Sequence, residues 1–129
     1  MTYHFSKTVY LPFDAAIAAT TKALKNHGFG VLTQIDVQDT LNKKIGADFR
    51  PYLILGACNP KLAYEALTLE DKIGTMLPCN VVIQQREAGA VEISAVDPVA
   101  SMSAIENQKL DAVAGKVREL LKQVVAEIA

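Results

Sequence analysis

The chain opens on alternation. Tyr3, Phe5, Val9 and Leu11 alternate with His4, Ser6, Thr8 and Tyr10, a period of two that predicts a strand with one buried face. Lys7 falls on the apolar face, which suits a strand near a sheet edge, and Pro12 stops it. The period then changes. Phe13, Ile17 and Leu24 lie at offsets of zero, four and eleven, one stripe of a helix. Asp14 sits in its first turn and Lys25 and His27 in its last, matching the helix dipole, and Gly28 is a fitting stop. His27 could act as a ligand or a base, but a charge at a helix C-terminus explains it without either role.

Gly30 to Val37 predicts a second strand, with Val31, Ile35 and Val37 on its apolar face and Thr33 interrupting it. Asp36 can cap a short helix running through Lys44 and closed by Gly46. Leu41 and Ile45, one turn apart, are expected to face the core. Tyr52 to Ala57 is apolar without interruption, which predicts a strand buried on both faces and therefore central. Asn59 can cap the next helix with Pro60 at its first position. That helix carries Leu62, Ala63, Ala66, Leu67 and Leu69 and ends around Glu70, Asp71 and Gly74. Asn80–Arg86 and Val91–Val96 predict a hairpin around Glu87-Ala88-Gly89-Ala90. Ser103 with Glu106 reads as a capping box. Val113, Val117, Leu120, Leu121, Val124 and Ile128 then mark a long amphipathic helix packed across the sheet.

The order is βαβαβαββα. It predicts an α+β fold: one domain over residues 1–129, a two-layer sandwich with an antiparallel or mixed sheet of about five strands and helices mainly on one face. Strand order does not follow from the pattern.

Composition narrows the function. The 129 residues are 50% hydrophobic, enough for a core without staples, with 13 basic and 14 acidic side chains. Near-neutral charge argues against nucleic-acid and anionic-membrane partners. The apolar runs are strand-length, too short to span a bilayer. The N-terminus lacks a signal-peptide pattern, and two cysteines make no disulfide framework, so the expectation is a cytoplasmic protein with reduced thiols.

Candidate chemistry gathers where two apolar runs meet Cys-Asn pairs: Cys58-Asn59-Pro60 and Pro78-Cys79-Asn80. Cys58 is placed at a strand end before a helix N-terminus, where ligands collect and a thiolate would be favoured. It reads equally as a small buried hydrophobe. Cys79 reads first as packing, and Asn59 and Asn80 as caps or turn formers. The candidate ligand-binding set is thus Cys58, Asn59, Pro60, Cys79 and Asn80. It holds together only if the strands ending and starting at the cysteines are antiparallel. Asp71 to Leu77 can carry the chain back across the sheet, because seven residues reach about 23 Å and a six-residue strand spans about 20 Å. Cys58 is then the more reactive thiol. The cysteines and His4 and His27 match no zinc spacing. With no phosphate loop, nucleophile elbow or paired helical histidines, no catalytic residue, metal or cofactor is assigned.

Two functions stand: a ligand-binding or regulatory module, and a thiol enzyme or sulfur carrier using Cys58 with Cys79 resolving. The module is preferred because neither thiol has a base beside it.

The blocks Tyr52-Leu-Ile-Leu-Gly-Ala-Cys-Asn-Pro60 and Ile73-Gly-Thr-Met-Leu-Pro-Cys-Asn-Val-Val82, with Asp97-Pro98 and Asp36-Val-Gln-Asp-Thr-Leu41, resemble the bacterial and archaeal family called domain of unknown function 302. Met76 stands where the family carries Leu, a volume-conserving change. The resemblance implies a compact α+β domain of the TT-like type and a homodimer. It implies no established activity and transfers no catalytic residue.

Overall fold

The computed structural model describes residues 2–129. Strands β1 (His4–Val9), β2 (Gly30–Asp36), β3 (Tyr52–Cys58), β4 (Cys79–Glu87) and β5 (Ala90–Val96) alternate with helices α1 (Phe13–Asn26), α2 (Val37–Ile45), α3 (Pro60–Leu69), α4 (Pro98–Ser101) and α5 (Gln108–Glu127). A 3-10 segment, Asp71–Met76, links α3 to β4. The strands form one sheet in the order β1-β5-β4-β3-β2, each neighbouring pair antiparallel. The α+β expectation and the order of its main elements hold. The short α4 and the 3-10 segment are additions to it.

Local signals explain most boundaries. Asp36 accepts from the Asp39 N–H at 2.9 Å and caps α2, while Gly46 closes it at φ 65°. Asn59 accepts from the Leu62 N–H at 3.2 Å, with Pro60 at the first turn of α3. The β4–β5 hairpin turns at Ala88-Gly89, where Gly89 takes φ 81°.

Burial corrects several expectations. β2 was expected to bury one face, yet as the last strand of the sheet it is exposed along nearly its whole length. Val37 is not its last apolar residue but the first residue of α2, because the Asp36 cap turns the chain. Leu41 is half-buried and Ile45 is 72% exposed, so α2 does not face the core. β3 is not central but second from the edge, and it alternates, burying Leu53, Leu55 and Ala57 on the helix side. Gly56 is buried on the opposite face because Thr33 and Pro78 close over it, leaving no room for a Cβ. The capping box at Ser103 and Glu106 does not form. Asn107 caps α5 instead, accepting from Lys109 and Leu110. Leu120 is only half-buried, and the stripe centres on Leu121, Val124 and Ile128.

The buried side chains form two clusters. The larger joins α1 and the last turns of α5 to the sheet through Leu24, Leu55, Ile83, Ile93, Leu121 and Val124. The smaller joins α3, the 3-10 segment, the α4–α5 connection and the first turns of α5 through Ala66, Ile73, Met102, Leu110, Val113 and Ala114. Helix α5, about 30 Å long, belongs to both.

Candidate functional site

A cavity of about 360 Å³ lies at the seam between the two clusters. Phe29, Ala57 and Cys79 come from the larger cluster, and Ala66, Met102, Leu110, Val113 and Ala114 from the smaller. Leu62, Ala63 and Leu67 of α3 add a wall, and Leu32 of β2, 66% exposed, stands at the mouth. None of the lining side chains is ionised at neutral pH. Asn59 and the two thiols are its polar groups.

The antiparallel path decides which candidates meet. In the β3–β4 register Ala57 faces Cys79, so Cys58 and Cys79 lie at the same end of the sheet, as the return through Asp71–Leu77 requires. Cys58, Asn59 and Cys79 line the cavity. Pro60 and Asn80 do not. Pro60 is exposed at the first turn of α3. Asn80 follows Cys79 along β4, so alternation sends it to the other face. There it lines a groove of about 370 Å³ with His4, Tyr52, Gln84 and Ser94. His4 Nδ1 and Ser94 Oγ each lie 2.7 Å from Ser6 Oγ in that region.

Both cysteines are free. The expected thiolate at Cys58 is not supported, since burial pushes this thiol up. At this helix start the Asn59 side-chain oxygen accepts the Leu62 N–H. Cys79 is pushed up to about 11, first by burial and then by the neighbouring Cys58. Cys58 remains the less perturbed of the two. Among the described residues, no group of three or more His, Cys, Asp or Glu is arranged to hold a metal ion. No helix among them is long and apolar enough to cross a membrane.

Residue reasoning missed half of this site. Met102, Leu110 and Ala114 carry no polar signal, and Val113 and Val117 were read only as a packing stripe. The Asn107 cap, at the foot of an amphipathic pattern, was legible but lost to the competing Ser103–Glu106 pair.

An antiparallel sheet carrying its helices over one face, with an apolar cavity between helix and strand ends, defines a two-layer α+β protein. The chain belongs to the family described as Domain of unknown function DUF302, whose model matches residues 5–128. It is similar to the crystal structure of an uncharacterized conserved protein DUF302 from Bacillus stearothermophilus, with 29% sequence identity, full coverage of both chains and a TM-score of 0.92. A comparison with curated proteins gives no match.

Proposed function

We propose that this protein is a binding module for a small, mostly apolar molecule held in the cavity between α3, α5 and the ends of β3 and β4. The observation that carries the reading is the lining: apolar side chains nearly throughout, with Asn59 and two thiols gathered at one corner to fix a polar tip. The volume lies within the range of small-ligand sites. Free thiols support a reducing compartment, and we place the protein in the cytoplasm.

The test is titration of the full chain with N-phenyl-1-naphthylamine, a neutral apolar fluorophore. Saturable binding at one site per chain is expected. Ala63→Phe, which fills the cavity, should abolish it while circular dichroism and thermal midpoint stay unchanged. No saturable binding by the wild-type chain overturns the reading.

The thiol enzyme or carrier is kept as a second reading because Cys58 and Cys79 line one cavity. Their raised pKa values work against it, since the thiolate is the nucleophile. At pH 8 about a thousandth of a thiol titrating near 11 is ionised, so iodoacetamide should label Cys58 well before Cys79. Cys58→Ser should leave fluorophore binding intact. Faster labelling at Cys79 would remove Cys58 as the leading thiol of this second reading.

A further inference from the structure

The polar corner of the cavity is short of acceptors. Among the lining side chains only Asn59 carries a strong hydrogen-bonding group. The rest are hydrocarbon, two thiols and the Met102 thioether. The Asn59 side-chain oxygen is already engaged, because it caps α3 by accepting the Leu62 N–H at 3.2 Å. That bond also fixes which way the amide lies, so the nitrogen is the end left over. The nitrogen sits over Gly28, where a Cβ would lie only 3.1 Å from it. Gly28 leads directly into Phe29 of the lining. The thiols add two weaker donors. Burial keeps both protonated at neutral pH, and a thiol sulfur accepts only weakly. The lining holds no Lys, Arg, His, Asp or Glu. Donors at one corner therefore face an apolar space that offers no counter-charge.

We infer that the molecule held in this cavity is uncharged and meets Asn59 with a carbonyl oxygen, as an aliphatic ketone would. The inference rests on the binding reading above and narrows it. An ammonium group would bury a charge and bring donors to donors. A carboxylate would accept from Asn59, but one amide and two thiols do not offset the loss of its hydration. An alcohol can accept as well, yet its own O–H then points at no acceptor. A carbonyl oxygen takes the amide N–H and brings no donor of its own.

The test is displacement of N-phenyl-1-naphthylamine from the full chain at pH 7. The competitors share one chain length: 2-nonanone, 2-nonanol, 2-aminononane and nonanoate. 2-Nonanone should compete best, about tenfold ahead of 2-nonanol and further ahead of the two ions. Asn59→Asp sharpens the test. Aspartate caps a helix as well as asparagine does, so the thermal midpoint should hold while an acceptor replaces the free amide. The order should invert, with 2-aminononane ahead of 2-nonanone. The rise in thermal midpoint that each compound brings reads the same order without the fluorophore. Nonanoate or 2-nonanol equal to 2-nonanone on the wild-type chain, or an unchanged order in Asn59→Asp, overturns this inference and leaves the cavity reading standing. No saturable fluorophore binding by the wild-type chain overturns the cavity reading and this inference with it.

Discussion

The two buried clusters share a helix and differ in kind. The larger packs α1 and the end of α5 onto β1, β5 and β4 with its largest side chains fully enclosed. The smaller is built of alanines, a methionine and a few branched side chains, and it stands off from the sheet far enough to leave the cavity. Close packing is the rule for protein interiors, so an apolar space at the seam is the feature that needs a cause beyond stability. On the binding reading, the larger cluster holds the fold and the smaller borders the cavity.

The sharpest way to break this division is a pair of leucine truncations. Leu121→Ala, fully buried in the larger cluster, should cost about 2–5 kcal/mol in denaturant unfolding. Leu67→Ala, on the cavity wall and 44% exposed, should cost less than about 1 kcal/mol. Equal losses would erase the distinction. Gly56→Ala comes next. Thr33 and Pro78 occupy the space a methyl needs, and forcing it in should cost about 1–3 kcal/mol while loosening the Pro78-Cys79 corner. Faster Cys79 alkylation in that variant checks the second part. Asn107→Ala should cost about 1 kcal/mol by removing the α5 cap.

The smallest effect lies at the far end of the larger cluster. Glu127 accepts from Asn26 at 2.9 Å and pairs with His27 at 3.0 Å, joining the ends of α1 and α5. Those hydrogen bonds hold its carboxyl below the ordinary 4.5. The folded pKa is lowered, so the contribution is complete above the unfolded value and is lost as pH falls through the folded one. Glu127→Gln should therefore lower stability slightly in the neutral region and flatten the acid limb below about pH 4.5, so that the two proteins converge at low pH. Identical acid limbs in the two proteins would remove this contact from the larger cluster's ledger.

Much of this contrast was legible in the residues. The Asp36 and Asn59 caps, the hairpin and the stripe of α5 follow from short-range rules. The antiparallel return through Asp71–Leu77 was allowed by chain length and chosen because it brings the two Cys-Asn corners to one end. What stayed hidden was non-local. Nothing in Gly30–Asp36 announces that it will be last in the sheet, so its alternating apolar residues were read as buried. The cavity wall was hidden differently: Ala66, Ala114 and Met102 look the same whether they fill a core or border a space. Asn80 was a legible miss, because adjacent residues of one strand cannot face one pocket.

Asn107 has one more consequence. Besides capping α5, its amide nitrogen donates to the Leu69 carbonyl at 3.1 Å, joining the end of α3 to the start of α5. The other end of α3 is held by its Asn59 cap and the adjoining strand. The helix is thus pinned like a beam at both supports. On the binding reading, a fixed wall leaves admission of a guest to the side chains at the rim, which reorient in picoseconds to nanoseconds. Stopped-flow mixing with N-phenyl-1-naphthylamine should then show an observed rate that rises linearly with probe concentration. Freeing one support with Asn107→Ala should make that rate level off, as the slower motion of the beam itself becomes the gate.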